Sequence, residues 1–292
     1  MITAMTLFDG ITLGVVQGVT EFLPISSDGH LRLAHDLLGV AGDGSLLFDL
    51  MLHLGTLVAV FLFYREEIGV ILRDLVPAVT EFPGRGWAAV NDREGARLAL
   101  VTVVATVPTG IIGLLLKKVV SSEAIPMWGV SALLMVNGVV LWSSFFAKER
   151  ERQPALGVGL AGVDYRGVTL PRAALIGIAQ GIAVLPGISR SCLTIVSSLW
   201  LGVKREDAAR VSFLMSIPAI LGAVVVEFAS ASPADRGALN APVLAGVAVA
   251  LVVGLGAIHL LTRVLRAAQF HRFAWYCWAL GGASLAMYLA SR

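Results

Sequence analysis

Gln17-Gly18-Val19-Thr20-Glu21-Phe22-Leu23-Pro24-Ile25-Ser26-Ser27-Asp28-Gly29-His30 lies in the middle of an apolar region, and its reading decides the fold. Pro24 has no amide hydrogen to donate, and the residue before a proline avoids the helical region, so no helix runs unbroken from 17 to 30. The apolar region 4–40 then becomes two half-helices around a polar break, each too short for a hydrocarbon core that needs about 20 residues. Broken backbone at membrane depth survives only where protein or a water-filled cavity satisfies its freed polar groups. The stretch therefore predicts a re-entrant helical hairpin lining a cavity.

Composition supplies the membrane. Of 292 residues, 57% are hydrophobic and 14% charged, which places the chain among polytopic membrane proteins. A formal net charge of +2 provides no field for nucleic acid, and no nucleic-acid partner is expected. Cys192 and Cys277 lie in apolar stretches without metal-ligand or disulfide-framework spacing, and read as small buried hydrophobes. The opening MITAMTLFDG has no Lys or Arg and carries Asp9, which argues against a cleaved secretory signal.

Six uninterrupted segments are long enough to span, near 46–64, 98–116, 127–147, 211–229, 242–262 and 273–290. A second interrupted region, 170–202, carries Leu185-Pro186-Gly187-Ile188-Ser189 at its centre. Gln180-Gly181-Ile182-Ala183 before it matches Gln17-Gly18-Val19-Thr20 with small gaps, so the two hairpins form an internal repeat. The fold predicted is all-α and polytopic, one membrane domain over 1–292. Its first repeat is 1–147 (hairpin 4–40 plus three spans), its linker 148–169, and its second repeat 170–292 (hairpin 170–202 plus three spans). Because three spans follow the first hairpin, the second enters from the opposite face, and the repeats are inverted as in many transporters. Most Lys and Arg, from Arg65 to Arg272, then share one face, and the other keeps only Arg32, Lys117, Lys118, Arg236 and Arg292. The positive-inside rule makes the crowded face cytoplasmic, with 65–97 and 148–169 as cytoplasmic loops and the first hairpin opening outside.

Ionisable residues within membrane segments are costly, about 2.5–3.5 kcal/mol each at a helix centre, and here they collect at the breaks. The first offers Glu21, Ser26, Ser27, Asp28 and His30, and the second Ser189, Arg190, Ser191 and Thr194. Inverted repeats would bring an acidic, nucleophilic set face to face with a cationic, hydroxyl-rich one. Ser26 or Ser27, and Ser189, are N-cap candidates, so two helix N-termini would aim free N–H groups at an anion, and Arg190 adds a fork for two phosphate oxygens. A structural ion pair to Glu21 is the plainer role for Arg190, and the two can coexist. Ser27 and His30, three apart, can share a helix face, a hydroxyl beside a base. Glu21 and Asp28 are candidates to hold a divalent cation or orient the histidine. His53 and Asp49 read as structural residues behind the hairpin, Glu227 as a helix-end residue reaching water, and the glycines of 244–256 as a helix-packing seam.

The run from Gln17 to His30, together with Pro186-Gly187-Ile188-Ser189-Arg190-Ser191-Cys192-Leu193-Thr194, resembles the two signatures of the undecaprenyl-diphosphate phosphatases, the bacitracin-resistance family. The resemblance covers essentially the whole chain. It implies hydrolysis of undecaprenyl diphosphate to the monophosphate at the outer side of the cytoplasmic membrane, recycling the carrier for cell-wall synthesis. It further implies Ser27 as nucleophile, His30 as its acid or base partner, Glu21 as a catalytic or metal-linked carboxylate, Arg190 as the diphosphate clamp, and Mg2+ or Ca2+ as cofactor. Ser26, Ser189, Ser191, Thr194, Gln17 and Asp28 complete the expected substrate-binding set. The partners expected are the lipid diphosphate and membrane lipids, and a homodimer is compatible with this reading. Two positions depart from the family pattern: many members have Glu where Gln17 stands, and Asp28 replaces a commoner small residue, which would partly restore the charge. A transporter or flippase of polyprenyl phosphate lipids is the alternative, for which a serine–histidine pair is superfluous.

Overall fold

The computed structural model describes residues 5–38, 45–119, 125–152, 163–230 and 240–291. Among them the chain is helical, apart from an isolated bridge between Val163 and Val203 and short turns. The two interrupted regions form paired short helices. In the first, α1 (Leu7–Phe22) is followed by α2 (Ser27–Leu38), and in the second, α8 (Leu170–Ile182) by α9 (Arg190–Trp200). The long helices are α3 (Ser45–Phe63), α6 (Glu94–Val119), α7 (Met127–Arg152), α10 (Arg205–Ser230), α11 (Ala241–Arg266) and α12 (Phe273–Ala290). Five stretches among them, beginning at Glu94, Met127, Arg205, Ala241 and Phe270, are long and apolar enough to cross a membrane. With α3 the total reaches six, and the chain is an all-α polytopic membrane protein.

Local chemistry sets the ends. Thr6 and Asp9 form a reciprocal capping box that starts α1. The same helix stops at Leu23, whose extended backbone (φ −65°, ψ 144°) is what a residue before proline adopts. Ser189 caps α9 by accepting from the amide of Cys192, and Asn240 caps α11 by accepting from that of Val243.

The 65–97 stretch, expected as a loop, is helical instead. α4 (Arg65–Arg85) leaves α3 at a bend of 76° and is followed by α5 (Trp87–Asn91). Its charges fit a helix because Leu72, Leu75, Val76 and Val79 recur at three- and four-residue spacing, and all four are exposed as one stripe. A helix with that stripe, steeply angled to a span, suits the interface plane of a bilayer. Of the expected linker 148–169, residues 153–162 lie outside the described set, as do the side chains of Lys117, Lys118, Glu227, Arg236 and Arg292.

The two halves cross over in packing. α1 lies along α11 while α8 lies along α6; α3 packs on α11 while α10 packs on α6; and α7 meets α12. Lipid tails are as apolar as leucine, so close packing rather than hydrophobic burial joins such helices. The contact is close at the α1–α11 seam, where a Cβ on Gly14 would stand 2.5 Å from the carbonyl oxygen of Gly246. Gly177 and Gly181 play the same part between α8 and α6. A core of Phe22, Leu141, Ile176, Ile195, Phe213 and Ile258 fills the centre, with Phe22 and Phe213 edge to face at 5.5 Å. The glycines and this core bring both breaks to the middle of the bundle.

Candidate active site

The breaks are fastened to each other by their own polar groups. Ser26 has a left-handed backbone (φ 72°), and its Oγ accepts from Gly29 N at 3.3 Å, capping α2, and from Gly187 N at 3.2 Å across the gap. Ser191 Oγ donates to Leu23 O at 3.4 Å. Between them stands Asn137 of α7, fully buried, whose Nδ2 donates to Pro24 O at 2.8 Å and whose Oδ1 accepts from Ser189 N at 2.9 Å. Asn137 sits midway along the span Met127–Ala147, so the breaks lie near the middle of the apolar thickness. The sequence carried one weak sign of this role, a lone carboxamide in a span.

Asn137 serves both breaks because an amide both gives and takes. Asn137→Leu, similar in volume, would strand the Pro24 carbonyl and the Ser189 amide, each at about 1–3 kcal/mol. The expected result is a fall in Tm of roughly 5 °C or more for the detergent-purified protein. An unchanged Tm would show that the breaks hold register without it.

Glu21, next to last in α1 and 5% exposed, is the hub. Its Oε2 accepts from Ser27 Oγ at 2.8 Å and from Gln17 Nε2 at 3.1 Å, and its Oε1 accepts from Nη2 of Arg190. His53 of α3 places Nε2 at 3.5 Å from Glu21 Oε2 and 3.7 Å from Asp28 Oδ1. One buried carboxylate thus gathers a hydroxyl, a carboxamide, a guanidinium and an imidazole. Asp28, its side chain 48% exposed, marks the wetter side of the cluster. Among the described residues, no group of three or more His, Cys, Asp or Glu side chains is disposed to hold a metal ion.

Several expected site residues stand elsewhere. The spacing suggested a Ser27–His30 pair, yet both ring nitrogens of His30 are engaged with other partners. Nδ1 lies 2.7 Å from the carbonyl oxygen of Ser26, which can only accept, so Nδ1 carries the hydrogen. Nε2 then accepts from the hydroxyl of Tyr276 at 2.8 Å, and the two rings stack with centroids 5.6 Å apart. Ser27 opens α2 and turns back to α1, whereas His30 faces α12. Ser26, Ser189 and Ser191 are buried and spend their hydroxyls on the breaks. Thr194, fully buried, donates to Arg190 O at 2.8 Å and meets Ser212 Oγ at 2.5 Å, pointing into α10 and away from the carboxylate. Gln17 is a buried partner of Glu21. The glycine seam of α11 is as expected, and Asp49 pairs with His35 at 2.9 Å.

Fold and site together define a multi-pass membrane protein that holds a serine, a carboxylate and an arginine in one hydrogen-bonded cluster where two broken helical regions meet. The chain belongs to the family described as bacitracin resistance protein BacA, whose pattern matches residues 10–283. It is 42% identical to an undecaprenyl-diphosphatase of Desulfosudis oleivorans, over 96% of this chain and 98% of that one. A protein of the same name from Alkaliphilus metalliredigens is 37% identical over 95% of this chain and 97% of its own length. Another, from Methanosphaera stadtmanae, is 38% identical over 95% and 96%.

Proposed function

We propose that this chain hydrolyses undecaprenyl diphosphate to undecaprenyl phosphate and inorganic phosphate, recycling the carrier lipid for cell-wall synthesis. Similarity to the three undecaprenyl-diphosphatases supports the substrate. The observation that carries the chemistry is the 2.8 Å bond from Ser27 Oγ to Glu21 Oε2, with Arg190 on the other oxygen of the same carboxylate. Ser27 Oγ attacks the terminal phosphorus, its proton passes to Glu21 and on to the departing lipid monophosphate, and the bond to the bridging oxygen breaks. Water then attacks the phosphoserine and gives a proton to the freed Glu21 carboxylate, which returns it to Ser27 Oγ as the bond from serine to phosphorus breaks and inorganic phosphate leaves. Charge grows on the phosphoryl oxygens during both steps. Arg190 Nη1, enclosed and without a hydrogen-bond partner among the described residues, is the donor suited to receive it. The N-terminal ends of α2 and α9, both starting at the breaks, add positive potential.

The donor set fits a hard cation only in the manner of magnesium, through one or two carboxylates plus substrate phosphates. Asp28, half-exposed, would hold Mg2+ or Ca2+, with Glu21 second because Arg190, Ser27 and Gln17 already occupy its oxygens. Such an ion supplies charge neutralisation at the phosphoryl oxygens. The crossed packing of α1 on α11 and α8 on α6 supports reading 1–147 and 170–292 as inverted repeats. The crowding of Lys and Arg at one end supports a cytoplasmic assignment for that end, with the site opening outward from the inner membrane.

Phosphate release from undecaprenyl diphosphate by detergent-purified protein tests this reading, and no release at saturating substrate with added magnesium would refute it. Chelation is expected to slow release at least about tenfold, with recovery on adding Mg2+ or Ca2+. Full rate in chelator would remove the cation from the account.

A further inference from the structure

Sequence spacing gave the catalytic imidazole to His30, but a different histidine stands at the carboxylate. Nδ1 of His53 lies 2.8 Å from the carbonyl oxygen of Asp49, one turn earlier in α3. That oxygen only accepts, so Nδ1 carries a hydrogen and the ring's orientation is fixed by its own helix. The other nitrogen, Nε2, points between two further acceptors, Glu21 Oε2 and Asp28 Oδ1, at 3.5 and 3.7 Å, so it holds them as an N–H of the doubly protonated ring. The oxygen it approaches is the one that accepts from Ser27. Glu21 ends a helix just before the break, and its Oε1 is drawn across the gap by Arg190 of the opposite hairpin. Once a diphosphate engages Arg190, that tether loosens, and the bonds left on Glu21 are those to Oε2.

We propose that His53 is a positioning residue for the phosphatase reaction, holding Glu21 Oε2 in line with the Ser27 hydroxyl when Arg190 turns to substrate. This rests on the phosphatase reading above. His53 acts through the carboxylate, since its contacts at the site are to Glu21 and Asp28. Distances at the upper edge of ion pairing are ordinary for a site that tightens only around its reacting complex. The role differs from that of His30, which ties the first turn of α2 to Tyr276 of α12.

The test is steady-state phosphate release from polyprenyl diphosphate by full-length protein in detergent, comparing His53→Leu, His53→Gln, Glu21→Gln and the double variant His53→Leu/Glu21→Gln. His53→Leu is expected to lower kcat about 10- to 100-fold with KM within about threefold, as loss of an orienting partner does. His53→Gln, which keeps a donor on the side facing Glu21, should recover most of that loss. In the Glu21→Gln background, removing His53 should cost no more than about twofold further, because the group it serves is gone. Unchanged kcat in His53→Leu, a change confined to KM, or losses that multiply in the double variant would each overturn the proposal. A His53→Leu protein that has lost its helical circular dichroism transfers the decision to His53→Gln, whose kcat must then exceed that of Glu21→Gln at least about tenfold. Failure of the unmodified protein to release phosphate would instead sink the phosphatase reading itself.

Discussion

With Ser27 changed to alanine, phosphate release is expected to fall by at least about 10³-fold, while the lipid diphosphate still binds within about threefold of its original affinity. The change removes one oxygen from the first residue of α2 and leaves the break untouched, since Ser26 makes the cross-gap bond to Gly187. Glu21 keeps Arg190, Gln17 and His53 around it, so no buried charge is stranded. Affinity is expected to be preserved because Arg190, the proposed clamp, does not depend on the hydroxyl. Single-turnover release, together with binding measured at equilibrium, checks both halves of the expectation. A Ser27→Ala protein that turns over at the original rate would require water to be the attacking group. The transporter alternative would tolerate the same change, and it leaves the Ser27–Glu21 bond without a task.

Arg190→Ala is the second large effect, and it has two causes that can be separated. On the proposed mechanism the guanidinium stabilises charge on the transferred phosphoryl group, and arginines so placed contribute about 10³-fold or more to rate. It also neutralises Glu21, whose side chain is 4% exposed, and removing one partner of a buried pair costs about 3–5 kcal/mol. The single variant is therefore expected to be both inactive and destabilised. Adding Glu21→Gln removes the stranded charge and should restore most of the lost Tm without restoring any activity. If thermal unfolding of the double variant stays as low as that of Arg190→Ala, the pair is not what stabilises the meeting of the breaks.

The parts of this account that were legible in the sequence share a physical origin: they depend on local pattern. The long helices and both breaks follow from apolar length and from Pro24 and Pro186 set among Gly and Ser, whereas Pro108 and Pro218, set in apolar runs, stay inside α6 and α10. Glu21 and Arg190 could be paired across 169 positions because an internal repeat supplied the long-range relation. Where no repeat reached, local spacing did not give the partners of each side chain. Ser27 and His30 are close along α2, but the direction in which each faces is set by α1 on one side and α12 on the other. Tyr276 lies 246 positions from its histidine partner. The approach of His53 to Glu21 is illegible for a similar reason, since the register of α3 against α1 is a packing result with no signature in either helix. Ser26, Ser189, Ser191 and Thr194 were assigned to substrate because they are polar at a break. The structure uses the three serine hydroxyls on the break itself, as buried backbone without water demands, and turns Thr194 to Ser212 of α10.

The pocket shared by Ser27 and Arg190 is the claim on which the rest stands. An experimental structure of the Ser27→Ala protein holding polyprenyl diphosphate tests it most directly. The expected result has the terminal phosphorus beside residue 27, in line with the bridging oxygen, and two of its oxygens on the Arg190 fork. A diphosphate lodged among the arginines at the ends of the long helices, with Arg190 still closed on Glu21, would contradict the account.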